Sequence, residues 1–189
     1  MKQLTQCFRL FLVLVILTGI VYPLLVTLVA QLAFHSQAEG SLVSVDGKIA
    51  GSSLLAQKSV SPKYFWPRPS ADDYGTVASG ASNLGPSSAA LKKAIDGFAS
   101  TARTTYKLTD DAPLPDDLIT TSASGLDPHL SPEAARLQID RVAEARGFTD
   151  EQKHKLAALV ESHIEGPQLG FLGNARVNVL LLNLDLDKL

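Results

Sequence analysis

The sequence predicts an α+β protein, with a single N-terminal transmembrane helix followed by one compact soluble domain. Residues 10–34 carry no charged side chain, which is typical of a membrane span. Beyond them, apolar residues recur with helical spacing in three segments, and two other regions have the turn residues and short apolar runs of strands. The 155 residues after the span are enough to build one hydrophobic core.

The apolar run is long enough to cross a membrane. A helix over its 25 residues is about 37 Å long, against a hydrocarbon core of about 30 Å. Ser36-Gln37-Ala38 would suit cleavage of a signal peptide. The apolar regions of such peptides usually have only about 7–15 residues, so an uncleaved anchor is the favoured interpretation.

The flanking charges predict the orientation of this anchor. Lys2 and Arg9 precede the span, and no Lys or Arg occurs in residues 35–47. The positive-inside rule then places the N-terminus in the cytoplasm and the domain outside. We therefore divide the chain into a cytoplasmic N-terminus with its anchor, 1–34, and a soluble extracytoplasmic domain, 35–189. In a Gram-negative bacterium this is a single-pass protein of the cell inner membrane with a periplasmic domain.

A short motif, Thr18-Gly19-Ile20-Val21-Tyr22-Pro23, interrupts the span. Pro23 removes one helical hydrogen bond, which predicts a kink. Gly19 would let another helix approach closely in lipid. The motif is therefore either a docking notch for a partner helix, formed by Thr18, Gly19, Tyr22 and Pro23, or a tolerated kink.

The first half of the domain begins with a predicted hairpin. Ser41–Val45 and Ile49–Gln57 flank Asp46-Gly47, a dipeptide that favours a type I′ turn. Residues 58–86 are rich in Pro, Ser and Gly and predict a long ordered loop, of the kind that often carries function. Helical spacing then runs through 87–106.

The second half contains two predicted helices and a strand. After a loop-rich region, 107–130, Ser131-Pro132 predicts the start of a helix that ends at Gly147. Thr149 and Gln152 form the capping-box pattern of another helix. Residues 176–184 are predicted to form a strand, because 179–182 are continuously apolar.

Composition argues against several function classes. The domain has 15 basic and 19 acidic residues, so no positive surface predicts a nucleic-acid partner. The lone cysteine, Cys7, precedes the span, which leaves the domain without disulfide or thiolate chemistry. No P-loop motif is present. The four histidines have no ligand spacing, so no metal site is predicted; these are His35, His129, His154 and His163.

One group of residues raises the alternative of a hydrolase. Ser122, Ser124, Asp127 and His129 supply the side-chain types of a catalytic triad. In a triad each side chain must be oriented by the next one in space, and residues two apart in one loop seldom achieve this geometry. Asp-Pro is also a good turn former. We favour the structural interpretation and predict no catalytic residue. His163, on an apolar helix face, is interpreted as a hydrogen-bonded packing residue.

Two loop segments have chemistry of their own. Ser79 to Pro86 is a small, polar, glycine-bearing loop before a predicted helix, where N–H groups and the helix dipole favour anions such as phosphate. The alternative is an ordinary helix entry. Tyr64 to Ser70 places three aromatic residues beside Arg68. These residues either anchor a partner or pin the long loop to the core.

Several stretches along the chain match the sequence pattern of one protein family. Each match alone is weak evidence, but together they are highly specific for that family. They are Thr18-Gly19-x-x-Tyr22-Pro23, Glu39-Gly40-Ser41-Leu42, Gly51-x-x-Leu54-x-x-Gln57, Tyr64 to Ala71, Ser79 to Pro86, Ser122 to His129, Arg141-Val142-Ala143 and Arg176 to Leu180. In this order they resemble the C chain of the Kdp potassium-transporting ATPase, the KdpC family, along nearly the whole sequence. One departure is Ala81, where the family is expected to have glycine.

The resemblance implies a non-catalytic accessory subunit of an ATP-driven, high-affinity potassium importer, without an active site of its own. Its implied partners are a channel-like potassium-binding subunit, a P-type ATPase subunit and the lipid bilayer. The family is implied to support assembly and to raise the affinity of the ATPase subunit for ATP. The positions to carry over for that role are Ser79, Gly80, Ser82, Asn83 and Gly85.

The resemblance and the charge rule conflict over ATP. ATP is cytoplasmic, whereas the charges place the domain outside. We therefore expect no firmly bound cofactor, with ATP affected only through the complex by conformational coupling. The alternative functions are a membrane-anchored periplasmic hydrolase and a free-standing periplasmic binding module.

Overall fold

A computed structural model describes residues 1–77 and 79–189 and divides into two units, Met1–Ser52 and Ser53–Leu189. The first contains α1 (Lys2–Ile16), a π-helical turn (Leu17–Val21), α2 (Tyr22–Ala33), α3 (His35–Ala38), β1 (Leu42–Val45) and β2 (Lys48–Ser52). The second contains α4 (Ala89–Tyr106), α5 (Asp116–Ile119), β3 (His129–Leu130), α6 (Pro132–Leu137), α7 (Ile139–Arg146), α8 (Asp150–Ser162), β4 (Ile164–Glu165), β5 (Arg176–Asn178) and α9 (Val179–Leu186). The predicted α+β class is confirmed.

The N-terminal helical segment is one continuous run, Lys2–Ala33. Its most apolar 18-residue window has a mean hydropathy of 2.7, and none of that window is buried within the protein. By length and composition it is suited to crossing a membrane. Helical structure begins eight residues before the uncharged run predicted from Leu10, because Lys2 to Arg9 continue the same helix.

The interruption predicted before Pro23 takes the form of a π-helical turn. The Tyr22 N–H donates to the carbonyl of Leu17, five residues back rather than four. Proline has no N–H to offer the preceding turn, so the backbone widens there by one residue and α2 starts afresh. The sequence predicted where the helix is irregular but not this form.

The predicted hairpin is confirmed, with Asp46 and Gly47 both at positive φ (51° and 75°) as a type I′ turn requires. Its second strand ends at Ser52 rather than at the predicted Gln57. The partner strand stops first, because Gly40 and Ser41 also adopt positive φ, of 85° and 51°. The chain before Leu42 therefore has no extended backbone that could pair with the residues after Ser52.

The second unit packs helices against a small antiparallel sheet with the strand order β3-β5-β4. The capping box predicted at Thr149 and Gln152 is confirmed at the start of α8. That helix sends Leu156 and Val160 into the core, both fully buried. The predicted role of His163 is also confirmed, since its Nε2 lies 3.0 Å from Asp185 Oδ2.

Two side-chain amides hold Tyr64 to Ser70, the aromatic segment of the long loop, against the core. Asn183 accepts the N–H of Phe65 at 2.8 Å and donates to its carbonyl at 2.9 Å. Gln138 does the same for Trp66, at 2.8 Å and 3.0 Å. Each amide thus replaces a neighbouring strand, and the backbone polar groups of a fully buried Phe65 are satisfied.

Two arginines complete the attachment of this segment. Arg141 stacks over the ring of Trp66 at 3.9 Å and donates to the carbonyls of Pro62 and Tyr64. Arg146 lies 4.9 Å from the ring centre of Tyr64. Stacked guanidinium groups stabilise such rings through cation–π attraction. These contacts favour the interpretation that the aromatic residues pin the loop to the core.

The helix predicted from Ser131 to Gly147 is divided at Gln138. Ser131 caps its start as predicted, with its hydroxyl accepting the Ala134 N–H, and Gly147 ends it in the left-handed conformation, φ 66°. Gln138 is fully buried, and its own N–H reaches back only three residues, to Ala135. The break coincides with the residue whose amide holds Trp66.

The predicted C-terminal strand over 176–184 is wrong beyond its third residue. The strand covers Arg176–Asn178, and the apolar run that follows is helix α9. The Asn178 side chain accepts the Leu181 N–H at 3.1 Å, which caps the new helix. A short apolar run fits a buried helix as well as a buried strand, and the asparagine before it was the deciding signal.

Replacing Gln138 with Ala is predicted to destabilise the domain by about 2–4 kcal/mol. The substitution leaves the partly buried N–H and carbonyl of Trp66 without their partners and opens a small cavity at a fully buried position. Urea unfolding of the full chain in detergent measures this, followed by fluorescence of Trp66, the lone tryptophan. Gln168→Ala at an exposed position is the matched control; equal midpoints for the two variants would contradict the structural role of Gln138.

Candidate functional site

The loop Ser79 to Pro86, here called the serine-glycine loop, is held in place by the segment around Gly125. Ser79 donates its hydroxyl to the carbonyl of Ser124 at 2.8 Å. The carbonyl of Gly80 lies so close to Gly125 that a Cβ there would be 3.1 Å from it, and Gly125 has φ 70°. A glycine is therefore required at position 125 both by the backbone conformation and by this approach.

The middle of the loop lines a cleft of ≈ 400 Å³ beside α4. The lining is formed by Ser70, Ala71, Asp72, Gly80, Ala81, Ser82, Ala94, Phe98 and Thr121. Of the proposed loop positions, Gly80 and Ser82 border the cleft, whereas Asn83 and Gly85 are not part of its lining. Among these lining residues Asp72 carries the charge, and a carboxylate there repels phosphate rather than attracting it.

The loop does not run directly into the helix. The chain turns at Gly85, whose carbonyl accepts the N–H of Ser88 at 2.9 Å, and α4 begins at Ala89. Ser88 is the N-cap residue but makes no side-chain capping hydrogen bond. The free N–H groups of the first helical turn therefore lie several residues beyond Ser82.

A polar cluster joins the aromatic segment to the α5 and β3 regions. The Arg68 guanidinium lies 3.3 Å from Asp127 Oδ2 and 3.8 Å from Asp117 Oδ1. Asp117 accepts the N–H of Ser131 at 2.6 Å. Asp127 accepts the N–H of His129 at 3.0 Å, and its Oδ1 is 3.4 Å from His129 Nδ1. The cluster borders a cleft of ≈ 290 Å³.

The environment of Asp127 stabilises its charged form. Partial burial acts to raise the pKa of its carboxyl, but the hydrogen bonds from His129 and the charge of Arg68 outweigh burial. The pKa of Asp127 therefore lies below its usual value. This carboxylate holds the turn and neutralises Arg68 at neutral pH.

The serines of the hydrolase alternative have local partners. Ser124 Oγ accepts the N–H of Leu126 at 3.1 Å, as in a turn. Ser122 is buried. Among the hydrogen bonds within residues 1–77 and 79–189, we find none between either hydroxyl and His129. The structure thus brings Asp127 and His129 together but does not form a serine–histidine pair.

The proposed notch in the helical segment presents an open backbone. A Cβ added at Gly19 would meet no atom within 4 Å. Thr18 donates its hydroxyl to the carbonyl of Leu14 at 2.7 Å, and Tyr22 is exposed. Gly19 lies inside the π-helical turn and Pro23 one residue after it.

Sequence reasoning missed an exposed apolar turn between β4 and β5. Leu169 is 83% exposed, Phe171 74% and Leu172 50%. Reciprocal backbone hydrogen bonds of 2.9 Å join Gln168 and Leu172 and close the turn. The signal in the sequence was a stretch of ten residues without charge, 166–175, that contains three large apolar side chains and three glycines. Exposed apolar clusters of this kind often mark interaction surfaces.

The described residues form one helix suited to crossing a membrane and an α+β domain with surface clefts. This architecture fits a single-span membrane protein. The chain belongs to the KdpC family: residues 4–188 match the family model described as K+-transporting ATPase, c chain. Proteins named potassium-transporting ATPase KdpC subunit are similar to it over nearly their whole length. That of Sorangium cellulosum is 50% identical, covering 99% of this chain and 98% of the relative.

Two further relatives carry the same name and show the same extent of similarity. The protein of Polaromonas naphthalenivorans is 51% identical, over 95% of this chain and 91% of its own. The protein of Pseudomonas aeruginosa strain UCBPP-PA14 is 50% identical, over 100% of this chain and 98% of its own. The resemblance seen in the sequence is thereby confirmed.

Asp127→Asn is predicted to lower the free energy of unfolding at pH 7 by about 1 kcal/mol, after allowance for solvent screening. A depressed folded-state pKa stabilises the fold above the unfolded carboxyl pKa of about 4, and this stabilisation is lost as pH falls through the folded-state value. Urea unfolding at pH 7 and pH 3 should therefore show a difference at pH 7 that shrinks at pH 3. Asp110→Asn, at an exposed carboxyl, is the control; a pH-independent difference would refute the linkage.

Proposed function

We propose that this protein is a non-catalytic accessory subunit of an ATP-driven, high-affinity potassium import complex. The observation that carries the proposal is the match to the KdpC family over residues 4–188, together with relatives named as subunits of a potassium-transporting ATPase. The similarity covers the apolar helix as well as the domain, so we assign both parts to the same complex.

The helix anchors the chain in the cell inner membrane with the N-terminus in the cytoplasm and the domain in the periplasm. The continuous helix Lys2–Ala33, with its apolar window, supports the single pass. The basic residues Lys2 and Arg9, at its beginning, support the orientation.

The partners are a channel-like potassium-binding subunit and a P-type ATPase subunit, with the lipid bilayer around the anchor. Two surfaces suit such partners. The helical segment offers the open backbone at Gly19 within an apolar helix. The domain offers the apolar turn, defined as residues 166–175, whose Leu169 and Phe171 side chains are largely exposed to water. Covering them would remove apolar surface from water.

The subunit supports assembly and raises the ATP affinity of the P-type subunit through conformational coupling. The serine-glycine loop, with Ser79, Gly80, Ser82, Asn83 and Gly85, is the proposed region for this role. The carboxylate of Asp72 in the cleft beside Gly80 and Ser82 argues against direct phosphate binding there. Coupling requires that the domain contact the complex differently in its two states.

The hydrolase alternative draws its support from the closeness of Asp127 and His129. The local hydrogen bond that Ser124 Oγ accepts from the Leu126 N–H weighs against it. A free-standing binding module would draw on the clefts beside Arg68 and beside Ser82. Neither alternative accounts for the match to family members that extends through the apolar helix.

The proposed function is tested by purifying the tagged chain from membranes that contain the other complex subunits. The unchanged chain is expected to bring them along, and potassium-stimulated ATP hydrolysis is expected to be lost without it. His129→Ala and Ser124→Ala should leave that hydrolysis within about twofold, since neither residue is catalytic. Recovery of the chain alone, with ATP hydrolysis independent of it, would overturn the proposal.

Replacing Leu169 and Phe171 with Ser is predicted to reduce recovery of the partner subunits several-fold. Each substitution removes an exposed apolar side chain, so the domain itself should unfold at the same urea concentration as before. Val60→Ser is the matched control, because Val60 is 76% exposed but lies outside the apolar turn. Equal recovery with the double variant and the control would exclude this turn as a contact.

A further inference from the structure

The π-helical turn leaves two neighbouring carbonyls of the apolar helix without their usual donors. In an α-helix each carbonyl accepts the N–H four residues ahead. The carbonyl of Gly19 would need the N–H of residue 23, which is a proline. The carbonyl of Thr18 would need the N–H of Tyr22, which donates to Leu17 instead.

These carbonyls lie where water is scarce if the segment crosses a membrane. The uncharged run covers residues 10–34, so Gly19 lies three residues from its centre, about 5 Å along the helix axis. Backbone groups in the hydrocarbon layer need partners other than lipid, because lipid tails offer no hydrogen bonds. In broken transmembrane helices, Ser or Thr side chains, waters or neighbouring helices fill this role.

Among the side-chain hydrogen bonds of residues 1–77 and 79–189, none reaches either carbonyl. A threonine hydroxyl has one proton to donate, and that of Thr18 goes to the carbonyl of Leu14 at 2.7 Å, one turn earlier. The helix surface at Gly19 is open, because glycine has no side chain and a Cβ there would meet nothing within 4 Å. A donor from another molecule can therefore approach the backbone closely.

We propose that the carbonyls of Thr18 and Gly19 accept hydrogen bonds from a donor side chain on a transmembrane helix of a partner subunit. The donor is a hydroxyl, amide or ammonium group, since the acceptors are carbonyl oxygens. This inference rests on the proposed function as a complex subunit and adds the chemistry by which the helix recognises its neighbour. The site combines two carbonyls that lack their usual α-helical donors with the open helix surface at Gly19.

The sequence makes each carbonyl individually observable. Thr18-Gly19 is the one Thr-Gly pair in the 189 residues, and Gly19-Ile20 is the one Gly-Ile pair. Labelling threonine carbonyls with carbon-13 and glycine nitrogens with nitrogen-15 selects the first carbonyl in solid-state NMR. Carbon-13 glycine carbonyls with nitrogen-15 isoleucine select the second. Spectra are recorded for the full chain alone in lipid bilayers and for the assembled complex.

Both carbonyl signals are expected to move downfield on assembly, because hydrogen bonding deshields the carbonyl carbon. Unchanged signals in a complex that has assembled would overturn this inference and leave the proposed function standing. Failure of the unchanged chain to assemble would overturn the proposed function and, with it, this inference.

Variants give a second readout through recovery of the partner subunits. Pro23→Ala restores an N–H for the Gly19 carbonyl, and Gly19→Val keeps the acceptors but covers them. Each should lower recovery several-fold at equal expression in the membrane. Val21→Leu is the matched control, because residue 21 lies nearly half a turn around the helix from Gly19. Full recovery with either Pro23→Ala or Gly19→Val would contradict the proposed hydrogen bonds.

Discussion

The backbone of Phe65 and Trp66 is held between the side-chain amides of Asn183 and Gln138, and much of the second unit follows from this attachment. Gln138 lies at the junction of α6 and α7, and Asn183 lies on α9, so the extended segment joins these helices as a strand would. It also fixes where the chain leaves the core at Arg68. Arg68 then meets Asp127, and that region in turn accepts the hydroxyl of Ser79 through the carbonyl of Ser124. The serine-glycine loop is thus connected to the core through a short series of polar contacts.

The proposed function places different demands on the two units. The helical segment must be recognised in lipid, where packing and hydrogen bonds matter more than apolar burial. The π-helical turn at Leu17–Val21 leaves the carbonyls of Thr18 and Gly19 without their usual α-helical donors, beside an open helix surface at Gly19. The domain must contact a partner across water, where the exposed side chains of Leu169 and Phe171 gain most from being covered. A subunit with these two contacts can couple to a catalytic subunit without binding its substrate.

Signals that act locally were predictable from the sequence. The type I′ turn at Asp46-Gly47 and the capping box at Thr149 depend on neighbouring residues alone, and both were predicted at the right place. The break at Gln138 depends on tertiary contacts of its side chain, and it was missed. The helix after Asn178 was missed because the same apolar run fits either a strand or a helix. In the candidate site, the role of the serine-glycine loop stays a prediction. The sequence did not predict that Asp72, seven residues before Ser79, lines the same cleft as Gly80 and Ser82.

The location of the domain is the claim on which the account of ATP depends, and thiol labelling measures it. Cys7 is replaced by Ser, and single cysteines are placed at exposed positions by Ser82→Cys, Ser100→Cys or Gln3→Cys. Cells with a permeable outer membrane then receive a membrane-impermeant thiol reagent, with denatured samples as controls for burial. The account predicts labelling at 82 and 100 but not at 3 until the inner membrane is broken. Labelling at 3 with protection at 82 and 100 would place the domain in the cytoplasm, on the same side of the membrane as ATP, and would contradict the account.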